Sequence, residues 1–345
     1  MTGLADYTTL GLGGPAKNFA AAATETDLID AVRAADAGGE PVLLLGGGSN
    51  LVIADDGFPG TVVHVRTRGV SYADAGGQVD VTVAAGEDWD DVVAAVTAEG
   101  LAGVECLSGI PGRTGATPIQ NVGAYGQEVA EVITTVRVFD RLASQILIFP
   151  NERCRFSYRT SLFKAEEPGR YIVLAVTFRL NRDSRSMPVK YAELAAELDV
   201  EMGERAGVSE VRSGVLKIRA RKGMLLNPGD PDSRSAGSFF TNPVLSAAQF
   251  ARVEAAAAGP VPRFGAGDGR VKVPAAWLIE HAGYGKGYGS PARARISAKH
   301  TLALVNAGDA TTADLLALAR DIRDGVRAAF GVTLEPEPTL VGVTL

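Results

Sequence analysis

The stretch AGSFFTNP, Ala236 to Pro243, sets a serine hydroxyl between Gly237 and two phenylalanines. A serine nucleophile needs a general base within hydrogen-bond reach. Only His64, His281 and His300 could supply an imidazole. They are scattered along the chain, which argues against a Ser-His pair, and none has HExxH or comparable ligand spacing, which argues against a catalytic metal. From its own neighbours, Ser238 either closes a serine turn beside glycine or does chemistry that needs no histidine. A second kind of chemistry is offered by LLLGGGSN (43 to 50), where a glycine turn follows an apolar strand. Successive backbone N–H groups in such a turn can nest around phosphate oxygens. The turn lacks the Lys of GxxxxGK[ST], and it lacks GxGxxG with an acidic residue about 20 positions on, so neither a Walker A loop nor a Rossmann fingerprint is present. Alone it could be an ordinary tight turn. A second glycine loop, SGIPGRTGATPIQNVGAYGQ (108 to 127), adds Thr114, Thr117, Gln120 and Asn121, which hydrogen-bond without charge. Two such loops suit one long, phosphate-bearing ligand, such as a nucleotide cofactor with a pyrophosphate.

Positioning these loops needs ordered elements, and the composition supports a folded chain. Of 345 residues, 46% are hydrophobic and 21% charged, near the average for globular domains, and the length predicts two or three domains. The net charge of -6 and the absence of a basic stripe argue against nucleic acid as a partner. No stretch approaches the 18 apolar residues of a membrane span, and the amino terminus shows no signal-peptide pattern, so the expected location is cytoplasmic. Two cysteines, Cys106 and Cys154, suit a reducing compartment and exclude a disulfide framework. Nothing fixes an oligomeric state; a monomer fits.

Thr26 is placed to cap a helix with Leu28, Ile29 and Val32 on one face, stopped by Gly38-Gly39. VLLL (42 to 45) and TVVHV (61 to 65) are strands. VDVTV alternates Val79, Val81 and Val83, and Trp89, Val92, Val93 and Val96 then take helical spacing. ITTVRVFD, SQILIF and YIVLAVTFRL are expected to be antiparallel strands. Residues 181–235 read as a polar connection around a helix at YAELAAEL (191 to 198). Ser246 and Gln249 form a capping box, PAAWLIEHAG is helical, and Thr312 begins a long helix ended by Gly331. Trp89 and Trp277 are expected in the core.

LLLGGGSNLVI, GIPGRTGATPIQNVGAYGQEV, FSYRTSLFK (156 to 164), AGSFFTNPV, AAWLIEHAG, ISAKHTLALVN and LEPEPTLVG together resemble the successive signatures of the UDP-N-acetylenolpyruvoylglucosamine reductases (MurB), in the family's order over nearly the whole chain. The resemblance implies an α+β fold: an FAD-binding domain of the p-cresol methylhydroxylase type, in two α+β lobes, plus a C-terminal α+β substrate domain. The corresponding expected divisions are 1–70 for the first lobe, with the tail 331–345 returning to it, 71–225 for the second lobe and its connection, and 226–330 for the substrate domain. It implies NADPH as hydride donor, noncovalent FAD, and reduction of UDP-N-acetylglucosamine enolpyruvate to UDP-N-acetylmuramate for peptidoglycan.

By the same resemblance Gly46, Gly47, Gly48, Ser49 and Asn50 hold the FAD pyrophosphate, and Ile110, Pro111, Gly112, Thr114, Gly115, Pro118, Gln120, Asn121, Gly123 and Ala124 line the rest of its site. Arg113 departs from the family, where a small residue is common; it would contact phosphate or face solvent. Arg159 would pair with the substrate carboxylate, Glu337 would assist as a neutral acid, and Ser238 would protonate carbon. Glu335 stands two residues from Glu337 and competes for that role. Tyr191, Lys222 and Asn242 would bind the UDP-sugar. Rival readings, an FAD-dependent oxidase of the wider flavoprotein group or a nonenzymatic nucleotide-binding module, share the glycine loops but do not require AGSFFTNP and LEPEP.

Overall fold

The computed structural model describes residues 2–345. By contacts the chain divides into two units, one made of Lys17–Gly47 and Pro59–Arg221, the other of the segment ending at Ala16 with Gly48–Phe58 and Lys222–Leu345. The lines expected at 70 and 225 therefore differ from the contact division, which places the Gly48–Phe58 excursion with the carboxyl-terminal segment. The two units are called here the middle unit and the terminal unit.

In the middle unit a small sheet has the order Ala16–Ala22, Phe58–Val65, Val42–Leu45, and its last two strands are parallel, with Val42 opposite Thr61. The helix Glu25–Ala37 is capped by Thr24, not Thr26: the Thr24 side chain accepts from the Asp27 N–H while Asp27 accepts from the Thr24 N–H. That reciprocal pair satisfies two donors that an unassisted helix start leaves bare. A six-stranded sheet, antiparallel throughout, has the order Gln145–Pro150, Ile133–Asp140, Tyr171–Arg182, Gln78–Ala84, Val70–Asp74, with Leu101–Ala102 beside Tyr171–Arg182. Val79, Val81 and Val83 are buried, as period-two alternation dictates, in one cluster with Trp89, Val92, Val93 and Val96 of the helix Trp89–Ala98. Each such side chain contributes roughly 1.5–3 kcal/mol by leaving water.

The connection expected at 181–235 is more structured than its polarity suggested. The helix Val208–Arg221 carries Val211, Val215 and Ile218 into an apolar cluster with Val189, Leu194 and Cys106, and the helix Ala192–Leu198 packs in the same cluster.

In the terminal unit an antiparallel sheet has the order Ser235–Ser238, Ala303–Asn306, Ala294–Ile296, and a second has Val244–Leu245, Val271–Lys272, Phe264–Gly265. The capping box of Ser246 and Gln249 opens the helix Ala247–Ala256 as its spacing predicts. The helix Thr312–Phe330 is capped by Thr311 and ends on Gly331 in the left-handed region, φ 68°. Asp55 also accepts from its first N–H groups, at Thr312 and Ala313, and the Thr312 hydroxyl donates to the Ile53 carbonyl at 2.6 Å. The same segment pairs in parallel with the chain's end, Leu51–Ile53 against Thr339–Val341. Trp89 is buried as expected, whereas Trp277 is only partly so, lying against Phe330 and stacked on His281.

Candidate active site

The strand Val42–Leu45 runs into the first glycine loop and the 3-10 turn Glu105–Leu107 into the second, and the two loops meet backbone to backbone at Gly47 and Gly112. A Cβ on Gly47 would stand 2.8 Å from Cα of Gly112, so only glycine allows this approach. A Cβ on Gly46 would stand 3.3 Å from Cγ of Arg113, whose stem covers it. Gly115 donates to the Ala85 carbonyl at 2.8 Å, and Thr114 donates through N–H and hydroxyl to the Glu87 carbonyl. These bonds fasten the loop to the end of the strand Gln78–Ala84 and to the turn that starts the helix Trp89–Ala98. Ile110 packs against the core, and the Thr117 hydroxyl donates to the Thr114 carbonyl at 2.8 Å. Pro118 and Thr117 are buried, while Pro111 and Gln120 are half-buried.

At the start of this loop, Gly109 is held from both ends. Its N–H donates to Asp90 Oδ1 at 2.6 Å, and its carbonyl accepts from Arg219 Nε at 3.1 Å. Asp90 in turn accepts two bonds from Arg212, at 2.5 and 3.0 Å. Burial works against charge on Asp90, but Arg212 and the Gly109 N–H outweigh it and hold the carboxyl below its usual range. Burial pushes the Arg219 guanidinium down, opposed by Tyr125 and Asp90. Sequence reading missed Asp90, Arg212 and Arg219. Their signal was the apolar spacing Val208, Val211, Val215, Ile218, which marks a helix in the supposed connection.

Downstream, Asn121 is buried and uses its whole amide: Nδ2 donates to Glu128 at 2.7 Å and to the Ser157 carbonyl at 3.1 Å, and Oδ1 accepts from the Ala130 N–H. Its side chain therefore orders the loop. The hairpin Gly123–Ala124 with Gln127–Glu128 follows. Arg159 donates to the Gly123 carbonyl at 2.7 Å and, at 3.5 Å, to that of Asn121. Asn121, Tyr125 and Arg159 all have positive φ, at 47°, 49° and 56°. Non-glycine residues hold this region at a cost on the order of 1–3 kcal/mol each, and such strain concentrates where geometry serves a ligand. Tyr191 caps the helix Ala192–Leu198, is 43% exposed, and meets the Tyr125 ring edge-on at 5.4 Å between centroids. Burial pushes the Tyr125 phenol up to about 12.

The terminal unit brings Ser238 and Glu337 together through the backbone. Ser238 ends its strand opposite Ala303, and the next residue, Phe239, accepts from the Glu337 N–H at 2.8 Å. Phe240 forms an antiparallel bridge with Pro336, between the two glutamates of LEPEP. Glu335 is exposed and Glu337 half-buried. Of the two, Glu337 is the one whose N–H bonds beside the serine. Asn50 joins them: its Nδ2 donates to the Glu337 carbonyl at 3.4 Å, and its carbonyl accepts from the Thr339 N–H at 2.9 Å. Gly48, at φ 60°, lies so close to the Tyr7 carbonyl and the Thr8 Cα that a side chain would collide with both. Ser49 is half-buried between Gly48 and Asn50. Asn242 accepts from the Ala275 N–H at 2.8 Å and so caps the helix Ala275–His281. Lys222 is half-buried at the first position after the helix Val208–Arg221.

These residues fit a nucleotide cofactor. Gly47 approaches Gly112 more closely than any side chain permits, and the Arg113 Nε is buried with no hydrogen-bond partner. Among the described residues no group of three or more His, Cys, Asp or Glu could hold a metal ion, and no helix is long and apolar enough to cross a membrane.

Comparison with known proteins identifies the group concerned. The model for the UDP-N-acetylenolpyruvoylglucosamine reductase C-terminal domain matches residues 230–341, and an FAD binding domain model matches 16–146. The UDP-N-acetylenolpyruvoylglucosamine reductase of Thermobifida fusca is 55% identical over 99% of this chain and 97% of its own. That of Streptomyces coelicolor is also 55% identical, over 99% of this chain and 90% of its own. The crystal structure of UDP-N-acetylenolpyruvylglucosamine reductase (MurB) from Thermus caldophilus superimposes with a TM-score of 0.65 at 27% identity, covering 99% of this chain and 97% of that one. The expected fold class stands: α+β, with an FAD-binding domain of the p-cresol methylhydroxylase type and a distinct C-terminal domain.

Proposed function

The chain belongs to the UDP-N-acetylenolpyruvoylglucosamine reductases, oxidoreductases with FAD as cofactor, and from that premise we propose that it uses NADPH to convert UDP-N-acetylglucosamine enolpyruvate to UDP-N-acetylmuramate, with Ser238 as proton donor. Gly46 to Asn50 and the loop Ile110 to Ala124 would hold FAD noncovalently, and the bound flavin would supply hydride taken from NADPH. Hydride addition at the methylene carbon of the enolpyruvyl ether drives an electron pair onto the adjacent carbon and into its carboxylate. The chain's task is to meet that charge and to protonate that carbon.

Arg159 pairs with the carboxylate, its planar guanidinium matching two oxygens. Glu337, carrying its proton, hydrogen-bonds an oxygen as charge builds there. Ser238 Oγ then gives its proton to the carbon and regains one from water. An enolate-like carbon is basic enough to take a proton from a hydroxyl, so no histidine is required. Tyr191, Lys222 and Asn242 bind the UDP-sugar; for Asn242 the free contribution is Nδ2, because Oδ1 already accepts from the Ala275 N–H. The observation that carries this reading is the bond from the Glu337 N–H to the carbonyl of Phe239, which fixes the glutamate beside the residue that follows the serine.

Rapid-mixing kinetics test it. In Ser238→Ala, NADPH should bleach the flavin at the parent rate, while reoxidation by the enolpyruvyl substrate falls by roughly 10²–10⁴-fold. Equal slowing of both half-reactions would remove serine from the proton-transfer step.

A further inference from the structure

Arg113 lies inside the loop GIPGRTG, yet the surrounding bonds do not use its charge fully. Its stem packs over Gly46, at 3.3 and 3.4 Å from a Cβ placed there. Its Nε is buried with no hydrogen-bond partner. Its one ion-pair contact among the described residues is with Asp88, and at 3.5 Å from Nη1 this is longer than a charge-assisted hydrogen bond. The positive charge is felt nearby: burial first, then Arg113 and Arg66, lower the basicity of His64. Arg113 also helps hold Glu87 as a carboxylate, alongside the Gly69 N–H and Arg68 and against burial. A buried guanidinium donor left unpaired costs stability unless an anion arrives to accept it.

We propose that Arg113 is a phosphate-binding residue of this chain's FAD site, donating to a pyrophosphate oxygen beside the Gly46-Gly47 turn. The proposal rests on the reading that this turn holds the pyrophosphate. The glycine loops alone recognise the phosphates through neutral N–H groups, and such bonds depend little on salt. An arginine adds a bond to a charged acceptor, which strengthens the interaction and makes FAD retention depend on ionic strength.

Apoprotein, stripped of flavin and checked for folding by circular dichroism, is titrated with FAD and with riboflavin, which has no phosphate. Arg113→Gln keeps most of the stem over Gly46, and Arg113→Lys keeps the charge. Expected is a rise of roughly ten- to hundred-fold in the FAD Kd for Arg113→Gln at low salt. The gap should narrow at 1 M salt, Lys should restore part of the affinity, and the riboflavin Kd should stay within twofold of the parent. An unchanged FAD Kd in Arg113→Gln, or equal weakening of FAD and riboflavin, overturns the proposal, the second by showing a packing role. Gly47→Val separates the two readings. If it too leaves FAD affinity unchanged, the pyrophosphate assignment of the turn falls; if it weakens FAD while Arg113→Gln does not, only the role of Arg113 falls.

Discussion

Replacing Asp90 by alanine should loosen the start of the second glycine loop without touching any residue that lines it. The Gly109 N–H loses its 2.6 Å acceptor, and leaving such a donor unmet costs about 1–3 kcal/mol. Arg212 loses both of its bonds to the carboxylate. Because 32% of the Asp90 side chain remains exposed, solvent screening limits that ion pair to about 0.5–1 kcal/mol. Together the loss is about 1.5–4 kcal/mol. For units of roughly 150–250 residues each kcal/mol moves Tm by about 2–4 °C, so flavin-free Asp90→Ala should melt about 3–16 °C below the parent in calorimetry. Asp90→Asn retains an acceptor for Gly109 and should lose about half as much. FAD should also protect the alanine variant less, since a tenfold rise in Kd removes about 1.4 kcal/mol of ligand stabilisation. The folded carboxyl lies below its unfolded value, so its contribution is fully present above about pH 4 and disappears as pH falls through the lower, folded value. The Tm gap between parent and alanine variant should be flat from pH 5 to pH 8 and should shrink below pH 4. A Tm for Asp90→Ala within 1 °C of the parent at neutral pH would refute the account of Gly109 as a point held from both ends.

Two further outcomes are expected. Glu337→Ala should slow flavin reoxidation by the enolpyruvyl substrate by roughly 10²–10³-fold while Glu335→Ala stays within about twofold, because only Glu337 is half-buried with its N–H bonded beside Ser238; the reverse order in stopped-flow traces would reassign the acid. Burial pushes the Cys154 thiol up to about 12 and that of Cys106 higher still, so a disulfide reagent at pH 8 should label neither in the native protein and both after denaturation; prompt labelling of the folded chain would contradict the burial of these side chains.

Strong local periodicity made most elements legible. The alternation of Val79, Val81 and Val83, the β-branched run of YIVLAVTFRL and the capping box at Ser246 each appear where their pattern puts them. Thr26 failed as a cap because Thr24 stands three residues before Asp27, the spacing that lets both members of the box bond. The helix Val208–Arg221 is hidden in the sequence by its polar residues, although Val208, Val211, Val215 and Ile218 form an apolar stripe along it. For the site, AGSFFTNP and LEPEP are separate words in sequence. The partial burial of Glu337 and the bond from its N–H to Phe239 distinguish it from the exposed Glu335, and both depend on tertiary register, which local pattern does not encode. The use of Asn121 as a loop organiser, and of Gly109 as an anchored point, depended likewise on partners far along the chain.

The pairing of Leu51–Ile53 with Thr339–Val341 also sets an order of events during synthesis. Asn50 and Glu337 are 287 residues apart. At about 5–20 residues per second, a ribosome takes roughly 15–60 s to cover that distance. The strand Leu51–Ile53 therefore waits without its partner while Pro59–Arg221 of the middle unit emerges. A nascent chain can therefore complete the middle unit first, whereas the pairing of Leu51–Ile53 with Thr339–Val341 and the bond from Asn50 to the Glu337 carbonyl form only as the last residues are made.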